Sequence, residues 1–308
     1  LRGVGGVRWT DELIQKKFIA LQPVFSYGKK QQHISMRTRL IHYPVLYINM
    51  KKDIKRKFYL ESDLKNLGMK YTRIEAVEGK KLYDEKYQNE ISSMLNVSPQ
   101  MMNPQFWLSR KNFKTMCSNP DITLARVGCY LSHLKSIKYA IDNDYEAVYI
   151  MEDDCKPLSN FYDRFTLPQN SDILYTGGFF ARGDKFNPSL SDPVIKIDNE
   201  NFKLWGCYGY ILPSKQAIKD VYNVISSVFL QGPGKDIHRD WRTGKIRLRA
   251  TNIDTMYINF FQRFGKCHVL NPVKTMPRVF DTNIVDNRKR YGLSTFLNSK
   301  DREMLEEL

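Results

Sequence analysis

The 308-residue chain is 42% hydrophobic and 26% charged, the balance of a folded globular protein, and no run of 18 or more apolar residues is present to span a bilayer as a helix. A net charge of +15 and a pI near 9.4 favour acidic partners, but no nucleic-acid-binding motif accompanies the charge. The cysteines, Cys117, Cys129, Cys155, Cys207 and Cys267, are widely spaced without a C-x-x-C pair, which argues against a zinc site or a disulfide scaffold and favours a reducing compartment, with room for one or two bridges.

Residues 1–42 carry eight Lys/Arg against two acids. Residues 10–21 have the spacing of a short helix capped by Thr10 or Asp11. The segment reads as an extension packed loosely on the main domain, or as a basic arm touching an anionic surface. The chain starts at Leu1, not Met, which leaves a removed signal or anchor open.

The main domain is expected to begin at Tyr43. Residues 44–49 make a short apolar strand. Asp53 caps a helix running to Leu67, with Ile54, Phe58, Leu64 and Leu67 on one face and Gly68 as its stop. Met69 to Val77 reads as a second strand, closed by Glu78 and Gly79. The unit has the length of a βαβ crossover, hence parallel strands. Lys51, Lys52, Lys55, Arg56 and Lys57 cluster at the helix start. Most read as a solvated face, and Arg56 is the candidate phosphate contact.

Residues 80–120 form an irregular excursion with short helices. Residues 121–143 form the best-defined helix, capped by Thr123, with Leu124, Val127, Leu131, Leu134, Ile137 and Ile141 at helical spacing. Its mid-helix Gly128 costs about 1 kcal/mol against alanine and implies a close approach by another backbone or a ligand. Ser132 and His133 follow, on a turn that can face a crevice.

Residues 147–155, Ala-Val-Tyr-Ile-Met-Glu-Asp-Asp-Cys, read as a buried strand delivering Glu152, Asp153 and Asp154 at its C-terminal end. Open α/β sheets place ligands at that edge. Three adjacent carboxylates repel, and a hard divalent cation carrying a phosphate offsets them best. A solvated acidic turn is the alternative. Successive strand residues point to opposite faces, so at most two of the three reach one ion.

Residues 172–176 form another strand, ending in Gly177 and Gly178. Residues 181–193 are a lid candidate. Residues 194–197 read as an edge strand, and 205–212 as an aromatic strand whose glycines imply close approach to a ligand. Ser214 caps a further helix, residues 231–249 are a basic loop, Asp254 opens another helix through Phe264, and residues 267–270 are a last strand.

This order of pieces resembles glycosyltransferase family 25, which includes lipo-oligosaccharide and collagen hydroxylysine galactosyltransferases. The matching pieces are Tyr47-Ile48-Asn49 with Arg56, residues 75–79 (Glu-Ala-Val-Glu-Gly), Gly128-Cys129 with Ser132-His133, the Glu152-Asp153-Asp154 strand end, and residues 208–214 with Ala217, followed by Asp254. The resemblance spans about residues 43–290. It implies an α/β fold of GT-A type (Rossmann-like): a mostly parallel sheet flanked by helices in a single nucleotide-sugar-binding domain; residues 291–308, beyond it, read as a helical tail. It also implies a UDP-sugar donor (galactose or glucose), Mn²⁺ or Mg²⁺, and inverting transfer to an acceptor hydroxyl on a glycan or a hydroxylysine-type protein.

On that reading, Asp154 with Glu152 or Asp153 holds the ion, and His268 is either a late ligand or a hydrogen-bonded strand histidine. Ile48, Asn49, Arg56, Ala76, Val77 and Gly79 line the nucleotide pocket, together with Ser132, His133, Gly177 and Gly178. Asp254, with Asp240 second, is the base, a plain N-cap being the alternative for Asp254. Further expectations are a homodimer, peripheral contact with an anionic surface, and a cytoplasmic or membrane-peripheral setting, or the ER lumen if a leader precedes Leu1. Two competing classes are a catalytically inactive glycan or nucleotide-sugar binder and a basic, metal-dependent nucleic-acid-binding protein.

Overall fold

The computed structural model describes residues 37–105, 120–168, 170–180, 192–197, 203–230, 237–239, 246–248, 253–264 and 266–278. The elements run β1 (Arg37–Thr38), β2 (Val45–Asn49), α1 (Ile54–Asn66), β3 (Tyr71–Glu75), α2 (Glu85–Leu95), α3 (Pro120–Asp142), β4 (Val148–Glu152), β5 (Cys155–Pro157), β6 (Phe165–Thr166), β7 (Ile173–Tyr175), β8 (Phe179–Phe180), β9 (Val194–Ile197), β10 (Leu204–Trp205), β11 (Gly209–Leu212), α4 (Lys215–Leu230), β12 (Ile237–Arg239), β13 (Ile246–Leu248), α5 (Ile253–Phe260), β14 (Cys267–Leu270) and β15 (Thr275–Pro277).

The central sheet has the strand order β3-β2-β4-β11-β7-β14-β9. The pairs β2–β3, β2–β4 and β7–β14 are parallel, whereas β11 runs against both its neighbours and β9 against β14. Strands β3, β2, β4, β7 and β14 therefore share one direction. The fold is α/β, a mostly parallel sheet flanked by helices, consistent with a GT-A-like domain. The edge strand expected at 194–197 is β9.

Side-chain alternation divides the sheet's two faces. Val45, Tyr47, Tyr149 and Met151 share a buried cluster with Leu60 and Leu64 of α1. On the other side, α3 packs with α4, and His133 stacks on Tyr210 of β11 with ring centroids 5.7 Å apart.

Several local expectations are corrected. The packed body already includes residues 37–42: β1 pairs with β6, and a 3-10 turn at Leu40–His42 buries Leu40. The buried face of α1 is Leu60 and Leu64, with Ile54 72% and Phe58 67% exposed. A spacing of six residues between Ile54 and Leu60 turns them well apart on a 3.6-residue helix. Asp53 makes no side-chain cap bond; its backbone carbonyl accepts from the Asn49 amide at 3.1 Å. Helix α3 starts at Pro120, a residue suited to the first turn, so Thr123 lies inside the helix rather than capping it. Within the expected basic loop, β12 and β13 pair as an antiparallel hairpin. The α5 helix ends at Phe260 and a 3-10 turn continues to Phe264. The lid candidate, apart from residues 192–193, and the termini lie outside the described residues.

Candidate active site

A cleft of about 490 Å³ opens at the C-terminal ends of β2, β3 and β4, walled on one side by α3. Its lining includes Ile48, Asn49, Arg56, Ala76, Val77, Gly79, Ser132, His133, Glu152, Asp153 and Asp154, all singled out from sequence. The register explains the convergence. Ile48 stands opposite Glu152, and Asn49 opposite Glu75, so the next residue of β2 meets the carboxylates as β4 ends.

Alternation along β4 sends neighbouring acids to different partners. Glu152 turns toward α3, where its Oε1 lies 3.1 Å from His133 Nε2. The other ring nitrogen of His133 lies 2.8 Å from the Tyr210 hydroxyl, to which Tyr257 donates at 2.9 Å. Asp153 turns toward α1. Its Oδ2 accepts from the Asn49 amide at 2.8 Å and its Oδ1 from the Arg56 guanidinium at 3.1 Å. Arg73 of β3 steadies the arrangement by donating to the Asn49 side-chain oxygen at 2.9 Å. Asp154 lies past the strand end, and its Oδ1 is a buried atom without a hydrogen-bond partner among the described residues.

The electrostatics follow from burial. Burial and the charges of Asp254 and Asp153 push Glu152 up to about 8, and burial with Glu152 and Asp153 does the same to Asp154. Burial also raises Asp153, with Arg56 opposing. Burial lowers His133 to about 4, so it is neutral at pH 7. The carboxylates thus face one guanidinium and a neutral imidazole. An orphaned buried oxygen beside a second carboxylate is a donor set that fits a hard divalent cation.

The 76–79 segment is built onto α3 by two glycines. A Cβ on Gly79 would sit 1.8 Å from the Leu124 carbonyl oxygen, and one on Gly128 would sit 2.5 Å from the Val77 carbonyl oxygen. The Val77 N–H donates to Ser132 Oγ at 2.8 Å, and that hydroxyl donates to the Gly128 carbonyl at 2.6 Å. The close approach expected at Gly128 is therefore by another backbone, and Ser132 holds up the cleft wall.

Other expected residues lie elsewhere. Gly177 packs against Thr275 and Gly178 against Leu204, so neither reaches the cleft. Gly209 packs against Thr176 and Thr275 rather than a ligand. His268 is on β14, with Nδ1 3.1 Å from the Ser171 hydroxyl; Ser171 precedes β7, at the sheet end away from the acids, so His268 is the hydrogen-bonded strand histidine. Asp254 is more than a helix cap: burial raises its carboxyl while Cys207, His133 and Gly206 oppose that, and its charge reaches Glu152 and His133. Asp240 lies outside the described residues.

Arg73 and Tyr257 carry no signal in the sequence that marks them for the site. Cys129 and His133, both in the Gly-Cys-x-x-Ser-His piece, are four residues apart on one helix face. With Glu152 they bring ligating atoms within 4.8 Å of one another. Cys129, Cys155, Cys207 and Cys267 are free thiols.

No helix among the described residues is long and apolar enough to cross a membrane. A comparison with curated proteins returns no match. The family model described as glycosyltransferase family 25 (LPS biosynthesis protein) matches residues 42–231, a span that contains β2, the Gly79–Gly128 contact, the acidic strand end and β11. The chain is a glycosyltransferase and belongs to glycosyltransferase family 25.

Proposed function

We propose that the protein moves a hexose, galactose or glucose, from a UDP-sugar to an acceptor hydroxyl with inversion, and that the transfer depends on Mn²⁺ or Mg²⁺. The observation that carries this reading is the buried Asp154 Oδ1, without a hydrogen-bond partner among the described residues, beside Glu152 in the cleft at the strand ends. A glycan acceptor agrees with the family description; a hydroxylysine-type acceptor is the other class consistent with the resemblance.

Asp154 and Glu152 would hold the ion. Asp153 is the less suited ligand, because Asn49 and Arg56 already engage both its oxygens. When bound, the ion would offset the donor's diphosphate charge and the charge that grows on the leaving UDP. Ile48 and Val77 would give the nucleotide apolar walls, and Arg56 would present positive charge to phosphate. His133, neutral and fixed between Tyr210 and Glu152, would orient Glu152. In the transfer step, the acceptor oxygen bonds to the anomeric carbon as the bond to the phosphate oxygen breaks. The acceptor proton passes to a carboxylate base, for which Asp254 is the candidate.

The test is thermal unfolding with UDP, with and without Mn²⁺, for wild type, Asp154→Ala and Asp154→Asn. A rise that needs both ligands and disappears in both variants supports a metal–nucleotide site. No rise with UDP or another nucleotide in the wild type overturns it.

A further inference from the structure

The outer face of α1 carries two large apolar side chains in water. Ile54 is 72% and Phe58 67% exposed, and their separation by four residues places them side by side. Lys51, Lys55 and Lys65 are exposed around them and make no ion pair among the described residues. Glu61, the acid near this face, is engaged by the Tyr47 hydroxyl and by Lys57 at 4.0 Å. The patch adjoins the cleft mouth, since Lys52, Asp53 and Arg56 line the cleft while Lys51, Ile54 and Lys55 alternate with them in sequence.

We propose that this face of α1 docks the protein on an anionic lipid bilayer, with Ile54 and Phe58 entering the headgroup–acyl boundary and the lysines meeting lipid phosphates. Apolar side chains ringed by lysine are what an interfacial helix presents to such a surface. Charge argues against two other occupants. A second copy placed symmetrically would set lysines against lysines. Residues 1–36, with six Lys/Arg against two acids, would bring like charge to the patch. Nucleic acid would satisfy the lysines but leave Ile54 and Phe58 without an apolar partner. The inference rests on this surface and not on the proposed donor chemistry. Docking here would bring the cleft close to a lipid-linked acceptor.

The experiment is co-sedimentation of the full chain with phosphatidylcholine vesicles, with and without phosphatidylglycerol. Wild type is expected to sediment with the phosphatidylglycerol vesicles, less so at high salt. Ile54→Ser/Phe58→Ser and Lys51→Glu/Lys55→Glu should each weaken partitioning on the order of tenfold or more. Both should keep the wild-type unfolding midpoint and the wild-type response to UDP with Mn²⁺. The proposal is overturned if wild type ignores anionic vesicles, or if the double variants partition like wild type. It is equally overturned if the apolar pair instead controls self-association by sedimentation velocity, or if the patch binds duplex DNA in preference to the vesicles.

Discussion

Asp153 has both carboxylate oxygens in use, one for Asn49 and one for Arg56. With Arg73 behind Asn49, these side chains tie β3, β2, β4 and α1 together at the cleft floor. Asp153→Ala would strip the Asn49 amide and the Arg56 guanidinium of their carboxylate at a mostly buried position, which costs about 1–3 kcal/mol. Denaturant unfolding should show that loss; an unchanged midpoint would mean that water replaces the carboxylate freely. Asp254 differs, because the groups that oppose the effect of its burial are Cys207, His133 and Gly206. Asp254→Asn should keep the fold and the nucleotide response while turnover falls roughly 10²–10⁴-fold, the range for loss of a positioned base. Near-normal turnover would remove Asp254 from the chemistry.

At the scale of elements, the contact between α3 and the 76–79 segment sets the cleft's shape. Neither Gly79 nor Gly128 has room for a methyl group, and the atoms in the way are backbone. Gly128→Ala gains about 1 kcal/mol of helix propensity against an overpacking cost of about 1–3 kcal/mol, so a small net loss is expected. Gly79→Ala, blocked at 1.8 Å, should be the more destabilising and should also weaken UDP binding. Calorimetric unfolding with and without UDP ranks them, and the reverse order would contradict the geometry. This contact also marks what the sequence makes legible. A mid-helix glycine announces close approach, and the α3 periodicity and the apolar run of β4 announce their elements. Which partner approaches is tertiary information. Gly79, carried by the resemblance at 75–79, lines the cleft, whereas Gly177 and Gly178 have Thr275 and Leu204 as their neighbours. Helix α1 differs from its expected single stripe for a related reason: Leu60 and Leu64 face the core, and Ile54 and Phe58 form a second, outward-facing pair. Tyr257 carries no local signal, since only the tertiary fold brings it to Tyr210 of β11, beside β4.

At the scale of the whole molecule, the buried ionisable groups impose opposite pH trends. Burial and mutual repulsion push Glu152 and Asp154 up to about 8, above the unfolded carboxylate values near 4. The folded protein then holds protons that the unfolded chain has released. Their contribution to stability is complete below about pH 4 and is lost as pH rises through about 8. His133 and His268 are lowered by burial to about 4, below the unfolded value of about 6.5. Their contribution is present above about pH 6.5 and is lost as pH falls through about 4. Between about pH 4 and pH 6.5 the two trends oppose and nearly cancel, so metal-free protein should hold a stability plateau there and weaken as pH rises toward about 8. An ion held by Asp154 and Glu152 needs both carboxylates ionised and competes with the protons. Added Mn²⁺ should accordingly raise the unfolding temperature more at about pH 8 than at about pH 5.5, removing the alkaline decline. Asp154→Asn should flatten the alkaline limb in metal-free protein and abolish the Mn²⁺ effect together. If the variant kept the full alkaline decline, the proton held near neutral pH would belong to another group, and Asp154 would lose its claim as the principal ligand.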